Sequence, residues 1–493
     1  MASAPCNFHF PLIIILFLSL QYPQPLVVDG AHDYRAALEK ALLFFQGHRS
    51  GSLNGVRQDL AWRGDSGLTD GQSEHVNLTG GYYDAGDNVK FNLPMAFTAT
   101  MLSWSIIDYG KRLGPQLSAA RVAVRWATDY LLKCATARPG TLFAGVGDPN
   151  KDHACWERPE DMDTDRTAYY VSASKPGSDV AGETAAALAA ASVVFRKADP
   201  SYSKKLQETA ESVMDFANKY RGAYSDSLSP FVCPFYCSYS GYMDELGWGA
   251  AWLYRATKDD KYLKMYESFN INDSPNIFSW DNKFAGTYVL LARRSLVNKD
   301  PKFNAMNAKA QEFICNILPG SSTQYTPGGL IYKIDGTNLQ YVTAITALVT
   351  TYAKYMSATH SHTSFKCADR TVTATVLRDL ARKQIDYILG DNPMRMSYMV
   401  GYGPNFPRKI HHRGSSMPSI HVYRSHINCN DGFQYKDSPK PNPNELTGAI
   451  VGGPDSSDRF NDDRNNYGQT EPATYVNAAA IGTLAYFAGA KAK

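Results

Sequence analysis

Apolar residues along this chain return every three or four positions far more often than every second one, which is the spacing of amphipathic helices and not of half-buried strands. Leu377, Ala381, Ile385 and Ile388 form one such stripe, Val342, Ile345, Val349, Tyr352 and Met356 another, and Val122, Trp126 and Tyr130 a third. The pattern predicts twelve helices, near residues 34–47, 94–112, 117–137, 181–197, 202–220, 242–257, 259–268, 281–296, 301–317, 339–358, 371–389 and 473–490. No stretch alternates cleanly enough to predict a strand. With no Gly/Ser or Pro linker between these helices, one all-α domain is expected over residues 31–493. Six helical hairpins closed into a ring would bury their apolar faces jointly. Trp104 and Trp126, both at helical spacing, are expected in the core.

Two long stretches interrupt the period. Residues 138–180 carry Phe143, Trp156, Tyr169 and Tyr170, and residues 391–470 hold eight Gly and eight Pro. Loops of that length inside a compact domain are uncommon and usually functional.

Composition narrows the function. The 50 Lys and Arg nearly balance the 47 Asp and Glu over 493 residues, and they are scattered, which argues against nucleic acid as a partner. The 31 Tyr and 7 Trp exceed what packing requires and suit a surface that stacks on flat ligands such as sugars. The apolar run Pro11-Leu12-Ile13-Ile14-Ile15-Leu16-Phe17-Leu18 falls short of the roughly 20 residues of a membrane span. It predicts a secretory signal over residues 1–30, cleaved near Gly30 or Ala31. No second long apolar run follows, so an extracellular protein free of the membrane is expected. Of eight Cys, Cys6 leaves with the signal, and the seven that remain include at least one unpaired thiol. In an oxidising compartment Cys233-Pro-Phe-Tyr-Cys237 favours a disulfide over zinc. Asn77-Leu-Thr79 and Asn272-Asp-Ser274 fit the acceptor pattern for N-glycosylation.

The chemistry concentrates in two acidic clusters. In Gly80-Gly81-Tyr82-Tyr83-Asp84-Ala85-Gly86-Asp87-Asn88, glycines make a tight loop that sets Asp84 and Asp87 three residues apart, close enough to share a water or a metal, although Asp and Gly also make ordinary turns. The second cluster, Asp462-Asp463-Arg464, leads to Glu471 just ahead of the last helix, where an acid could equally serve the helix dipole. The acidic run Glu160 to Asp165 is not an EF-hand, because counting from Asp161 puts Arg166 where Gly and Ser172 where Glu are needed. His411-His412 and His360-x-His362 lack further ligands at metal spacing, so no metal or cofactor is expected.

Taken together, Tyr82-Tyr83-Asp84-Ala85-Gly86-Asp87-Asn88, the run from Ser397 through Ile410-His411-His412-Arg413-Gly414, and Phe460-x-Asp462 followed by Tyr467 and Glu471 resemble plant members of glycoside hydrolase family 9, the secreted endo-β-1,4-glucanases or cellulases. The resemblance runs from about Ala31 to the C-terminus, and a catalytic domain without a further C-terminal cellulose-binding module is expected. It implies an (α/α)6 barrel, in agreement with the twelve predicted helices, and an inverting mechanism on β-1,4-glucan. It gives Glu471 the role of acid and Asp87 that of base, with Asp84 holding the same water. It implies that His411 and Arg413 bind sugar hydroxyls and that Asp462 orients Glu471 or its neighbours. It also implies that His153, Trp156 and Trp280 line the cleft. Such an enzyme is expected to act as a monomer, with poor attack on crystalline cellulose.

Two rivals remain. An all-helical terpenoid synthase would use Asp84-x-x-Asp87 and Asp462-Asp463 to bind magnesium and a diphosphate, but it would not normally need secretion and only Lys90 lies close to the first motif as a basic residue. A non-catalytic glucan-binding wall protein would have kept the cleft and lost the chemistry, which the presence of both Asp87 and Glu471 disfavours.

Overall fold

The computed structural model describes residues 32–358 and 363–489, besides Met1. The expected leader and the pair His360 and His362 lie outside them. From Asp33 onward the chain is one compact unit.

Twelve helices of nine residues or more are present among the described residues, in the predicted order: α1 (Tyr34–Gly47), α2 (Asn92–Leu113), α3 (Leu117–Thr136), α4 (Ser178–Phe195), α5 (Pro200–Lys219), α6 (Met243–Thr257), α7 (Asp260–Ser268), α8 (Phe284–Asn298), α9 (Asn304–Ile317), α10 (Leu339–Ser357), α11 (Ala374–Leu389) and α12 (Thr474–Ala488). The even-numbered helices pack each against the next and α12 returns to α2, which closes a ring. The odd-numbered helices pack outside it, α1 on α12, α3 on α2, α5 on α4 and α6, α9 on α8 and α11 on α10. The result is an (α/α)6 barrel.

Sequence explains which helix goes where. The inner helices α4 and α12 are apolar on every side and buried almost throughout, as a helix enclosed by others must be. Small residues let the inner backbones approach: a Cβ on Gly182 of α4 would meet the Glu245 carbonyl oxygen of α6 at 2.7 Å. The outer α5 buries a single stripe, Ser203, Leu206, Ala210, Val213, Met214 and Ala217. It starts at Pro200, behind Asp199, whose side chain accepts from the Tyr202 amide.

Two expectations need correction. The segment 138–180 contributes two strands to a three-stranded antiparallel sheet of β1 (Lys90–Phe91), β2 (Thr141–Val146) and β3 (Ala168–Ser172), and two short hairpins occur elsewhere, β4 (Gln324–Tyr325) with β5 (Ile331–Tyr332) and β6 (Ser364–Cys367) with β7 (Arg370–Thr373). These strands escaped the periodicity because they are two to six residues long, and β2 is buried on both faces and so does not alternate. On α3, Val122 is exposed and Trp126 is only partly buried, so that stripe is not a core stripe. Trp104, by contrast, is buried against Trp248 and Trp252.

Three disulfides join Cys155 to Cys429, Cys233 to Cys237 and Cys315 to Cys367, leaving Cys134 as a buried free thiol. The acidic run after Pro159 is used in ion pairs, Glu160 with Arg63 at 2.7 Å and Asp161 with Arg158 at 2.6 Å.

Candidate active site

A cleft of about 630 Å³ opens where the segments preceding the inner helices converge. Asp84 and Asp87 precede α2, Tyr236 precedes α6, Trp280 precedes α8, Thr337 precedes α10 and Glu471 precedes α12, and all of them line it. Five of the six inner helices therefore turn their N-terminal ends, the positive ends of their dipoles, toward a site rich in carboxyls.

Gly86 is the junction of the site. Its amide donates to Glu471 Oε1 at 2.9 Å, and its carbonyl accepts from the Arg413 backbone amide at 3.0 Å and from Arg413 Nη1 at 3.1 Å. A Cβ here would stand 2.3 Å from the His411 carbonyl oxygen and 2.8 Å from Glu471 Oε1, so only glycine allows the three sequence motifs to meet. The Asp84 carbonyl accepts from the Thr474 amide at 3.1 Å, which ties the same loop to the first turn of α12. Glu471 does not cap that helix; its side chain faces Gly86 instead.

The three carboxyls differ in surroundings. Burial, and after it the nearby Asp87, raise the Glu471 carboxyl from 4.5 to about 8, so it holds its proton at neutral pH. Asp87 is also raised by burial and by Asp152, but His153, Arg413 and the Val89 amide oppose the rise. Asp87 Oδ1 accepts from Val89 N–H at 2.9 Å, and Oδ2 lies 3.8 Å from His153 Nε2. Asp84 is pushed well up by burial, by Asp87 and by Glu471; the Tyr236 hydroxyl donates to its Oδ2 and favours the ionised form. Asp84 Oδ1 has no hydrogen-bond partner among the described residues.

Aromatic rings line the cleft in two connected groups. Trp156 meets His411 edge to face at 4.9 Å, and His411 meets the exposed Tyr467 at 5.9 Å. His153 stacks on Phe235 at 4.4 Å, while Tyr236 packs edge to face on Trp280 at 4.8 Å. Trp156 is fixed by its indole N–H on Ser416 Oγ at 3.0 Å, and Trp280 by its own on Gln340 at 3.0 Å. His411 donates from Nδ1 to the Arg464 carbonyl at 2.7 Å. Burial and the adjacent Arg413 lower its imidazole to about 3, so it stays neutral with Nε2 as an acceptor.

Arg413, expected on sugar hydroxyls, lines the cleft but directs its donors into the scaffold. It reaches the carbonyls of Cys155, Gly86 and Asp152 and pairs with the Asp152 carboxylate at 3.1 Å. Its charge still acts on the site, favouring ionised Asp87 and Glu471. Asp462 does not touch Glu471. It accepts from the amides of Arg408 and Lys409 and so holds the segment that leads to His411. Asn77 and Asn272 are exposed and lie outside the cleft lining.

Sequence reasoning missed Tyr236 and Arg464. Tyr236 sits in the Cys233–Cys237 disulfide loop, and an aromatic pair between two close cysteines is a signal that could have pointed to it. Arg464 is buried, and its guanidinium donates to the carbonyls of Tyr435, Lys436, Ser438 and Lys440 and to Asn442 Oδ1.

A cleft walled by aromatic rings, with one carboxyl, Glu471, held protonated near another, Asp87, that a hydrogen bond and a guanidinium help to ionise, has the arrangement of a hydrolase of glycosidic bonds. Residues 34–484 match glycosyl hydrolase family 9, and the chain belongs to that family. It is 60% identical over 492 residues to Endoglucanase 3 of Arabidopsis thaliana, covering 99% of each chain. It is 62% identical over 481 residues to Endoglucanase 9 of the same plant, covering 97% of this chain and 98% of the relative. Among solved structures, the endoglucanase of the termite Nasutitermes takasagoensis superposes with a TM-score of 0.82 at 40% identity, over 93% of this chain and 99% of that one. The cellulase Cel9M of C. cellulolyticum in complex with cellobiose superposes with a TM-score of 0.79 at 32% identity, over 93% and 99%.

Proposed function

We propose that this chain is a secreted endoglucanase that hydrolyses internal β-1,4 bonds of cell-wall glucan with inversion at the anomeric carbon. Glu471 protonates the leaving glycosidic oxygen, while Asp87 takes a proton from the water that attacks the opposite face of the sugar. Asp84 steadies that water through Oδ1, the oxygen left without a protein donor. Neutral His411 accepts from a sugar hydroxyl at Nε2, and Trp156 and Trp280 stack on sugar faces. Asp462 and Arg413 act through the residues they hold.

The observation that carries the reading is the split between two carboxyls in one cleft, Glu471 raised to about 8 and Asp87 supported in its ionised form by Val89 N–H, His153 and Arg413. The glucan substrate follows from the endoglucanases it is similar to and from the cellobiose complex of one neighbour.

The test is proton NMR of the purified protein digesting soluble β-1,4-glucan, with Asp87→Asn and Glu471→Gln alongside. Early appearance of the α-anomer at new reducing ends, lost in both variants, is expected. Early β-anomer would overturn the roles of the carboxyls, and no product at all would favour a wall-binding protein.

A further inference from the structure

Beside α3, away from the cleft, a second pocket of about 270 Å³ is lined by Ser52, Thr79, Trp126, Asp129, Tyr130 and Lys133. It combines an indole and a phenol with a carboxylate, an ammonium and hydroxyls, the side chains that bind a sugar ring by its apolar face and its hydroxyls together. Its volume lies just below the range of about 300–1,000 Å³ typical of drug-sized ligands and suits one sugar ring, not a glucan chain.

Thr79, the last residue of the acceptor sequence Asn77-Leu-Thr79, stands in the wall of this pocket. Asn77 is exposed while Leu78 is buried. Asn77 Oδ1 accepts from the Thr79 amide at 3.0 Å, from Thr79 Oγ1 at 2.7 Å and from Lys133 Nζ at 3.4 Å. The amide nitrogen Nδ2, the atom that carries an N-linked glycan, makes no hydrogen bond among the described residues. Lys133 and Thr79 thus belong both to the acceptor sequence's surroundings and to the pocket wall.

We propose that the pocket is the seat of the first N-acetylglucosamine of a glycan on Asn77, packed against Trp126 and hydrogen-bonded to Asp129, with Lys133, whose ammonium holds Asn77 and Thr79, as the wall on the side of the acceptor sequence. The glycan arrives by ordinary transfer: a bond forms between Asn77 Nδ2 and the sugar C1 as the lipid diphosphate carrier leaves and the amide gives up a proton. A ligand tethered so close has an effective concentration in the millimolar range or above, so weak contacts suffice to seat it. The seated sugar would also brace the approach to the catalytic loop. The carbonyls of Leu78 and Gly80 accept from Lys90 Nζ, that of Thr79 from Lys133 Nζ, and that of Gly81 from Trp126 Nε1 at 2.8 Å. Two of the side chains that pin residues 78–81, only three residues ahead of Asp84, are therefore walls of the pocket. Asn272, in an exposed segment between α7 and α8, does not line this pocket and is the internal comparison.

The proposal rests on entry into the secretory route, and the experiment separates the two. The full chain is expressed in yeast, collected from the medium and treated with peptide N-glycosidase without denaturation, and release at each site is followed by peptide mass. Asn77 is expected to be occupied and to lose its glycan about tenfold more slowly in the folded protein than after denaturation. Trp126→Ala and Lys133→Gln are each expected to remove most of that protection while leaving release at Asn272 unchanged. Trp126→Phe, which keeps a ring, is expected to retain part of it and covers the case in which the alanine variant fails to fold. An unoccupied Asn77 in secreted protein, or release at the same rate in folded, denatured and variant chains, would overturn the pocket assignment alone. Chain retained in the cytoplasm would overturn the secretion reading and the glycan with it.

Discussion

Tyr236→Phe isolates the contribution of one hydroxyl to the charge state of the site. The substitution removes the O–H donated to Asp84 Oδ2 and keeps the ring that packs on Phe91 and Trp280. A hydrogen bond to a charged group contributes about 1.5–3 kcal/mol. At about 1.36 kcal/mol per pKa unit, its loss raises the Asp84 carboxyl by roughly one to two units, because the bond favours the ionised form. Asp84 is already pushed up by burial, Asp87 and Glu471, so nothing else in its surroundings replaces the lost donor. If the attacking water is held by ionised Asp84 together with Asp87, activity on the acid side falls as Asp84 takes up a proton, and the acid limb of the pH profile moves upward by that same one to two units. The assay is kcat/KM on soluble β-1,4-glucan from about pH 3 to 9. Tyr475→Phe is the control, since its hydroxyl lies 3.2 Å from that of Tyr236 and it accepts no role at Asp84 Oδ2. It should move the limb by less than about 0.5 units. An acid limb that stays in place in Tyr236→Phe would refute the reasoning, whatever happens to the maximal rate.

Glu471→Gln is expected to lower kcat on glucan by about 10²–10⁴, and to raise stability near neutral pH. A carboxyl raised from 4.5 to about 8 in the folded protein stabilises the fold fully below pH 4.5 and loses that contribution as pH rises through 8, so the unfolding free energy of the variant should pull ahead of the parent's between those values, by at most roughly 3 kcal/mol at pH 7, as read from denaturant melts. Gly86→Ala should cost about 1–3 kcal/mol of stability and most of the activity, because the His411 carbonyl and the Glu471 carboxyl must both give way; thermal melts and kcat/KM check this. Arg464→Lys should raise KM more than it lowers kcat, since one ammonium cannot reproduce the fork that gathers the carbonyls of residues 435–440, and steady-state kinetics on cello-oligosaccharides decide the split.

The helices were legible because an outer helix such as α5 shows its buried stripe in sequence, and even α4, apolar all round, is too long to be mistaken for a strand. Their alternation between inner and outer ring was not, since it depends on which neighbour covers each face. The sheet was illegible for a different reason: β1 pairs Lys90 with Val146 across a whole helical hairpin, and two residues carry no period. In the site, Asp84, Asp87 and Glu471, the three carboxyls that line the cleft, were picked out by glycine spacing and family resemblance. Tyr236 was not, because its partner Asp84 lies 152 residues away. Arg413 was assigned to the ligand through the family resemblance, but the carbonyls of Cys155, Gly86 and Asp152 surround its guanidinium first.

The bond from Gly86 to Glu471 spans 385 residues of chain, and α12, which follows Glu471, is the helix that closes the ring between α10 and α2. With the roles proposed above, a nascent chain carries a base without its acid until almost all of the protein has been made. Contacts this distant in sequence form late in folding, since the intervening chain must be ordered or tolerated first. Hydrolysis of glucan is then a signal of barrel closure itself: an intermediate that has every helix but the last can possess native helicity and most of its cleft and still be chemically silent.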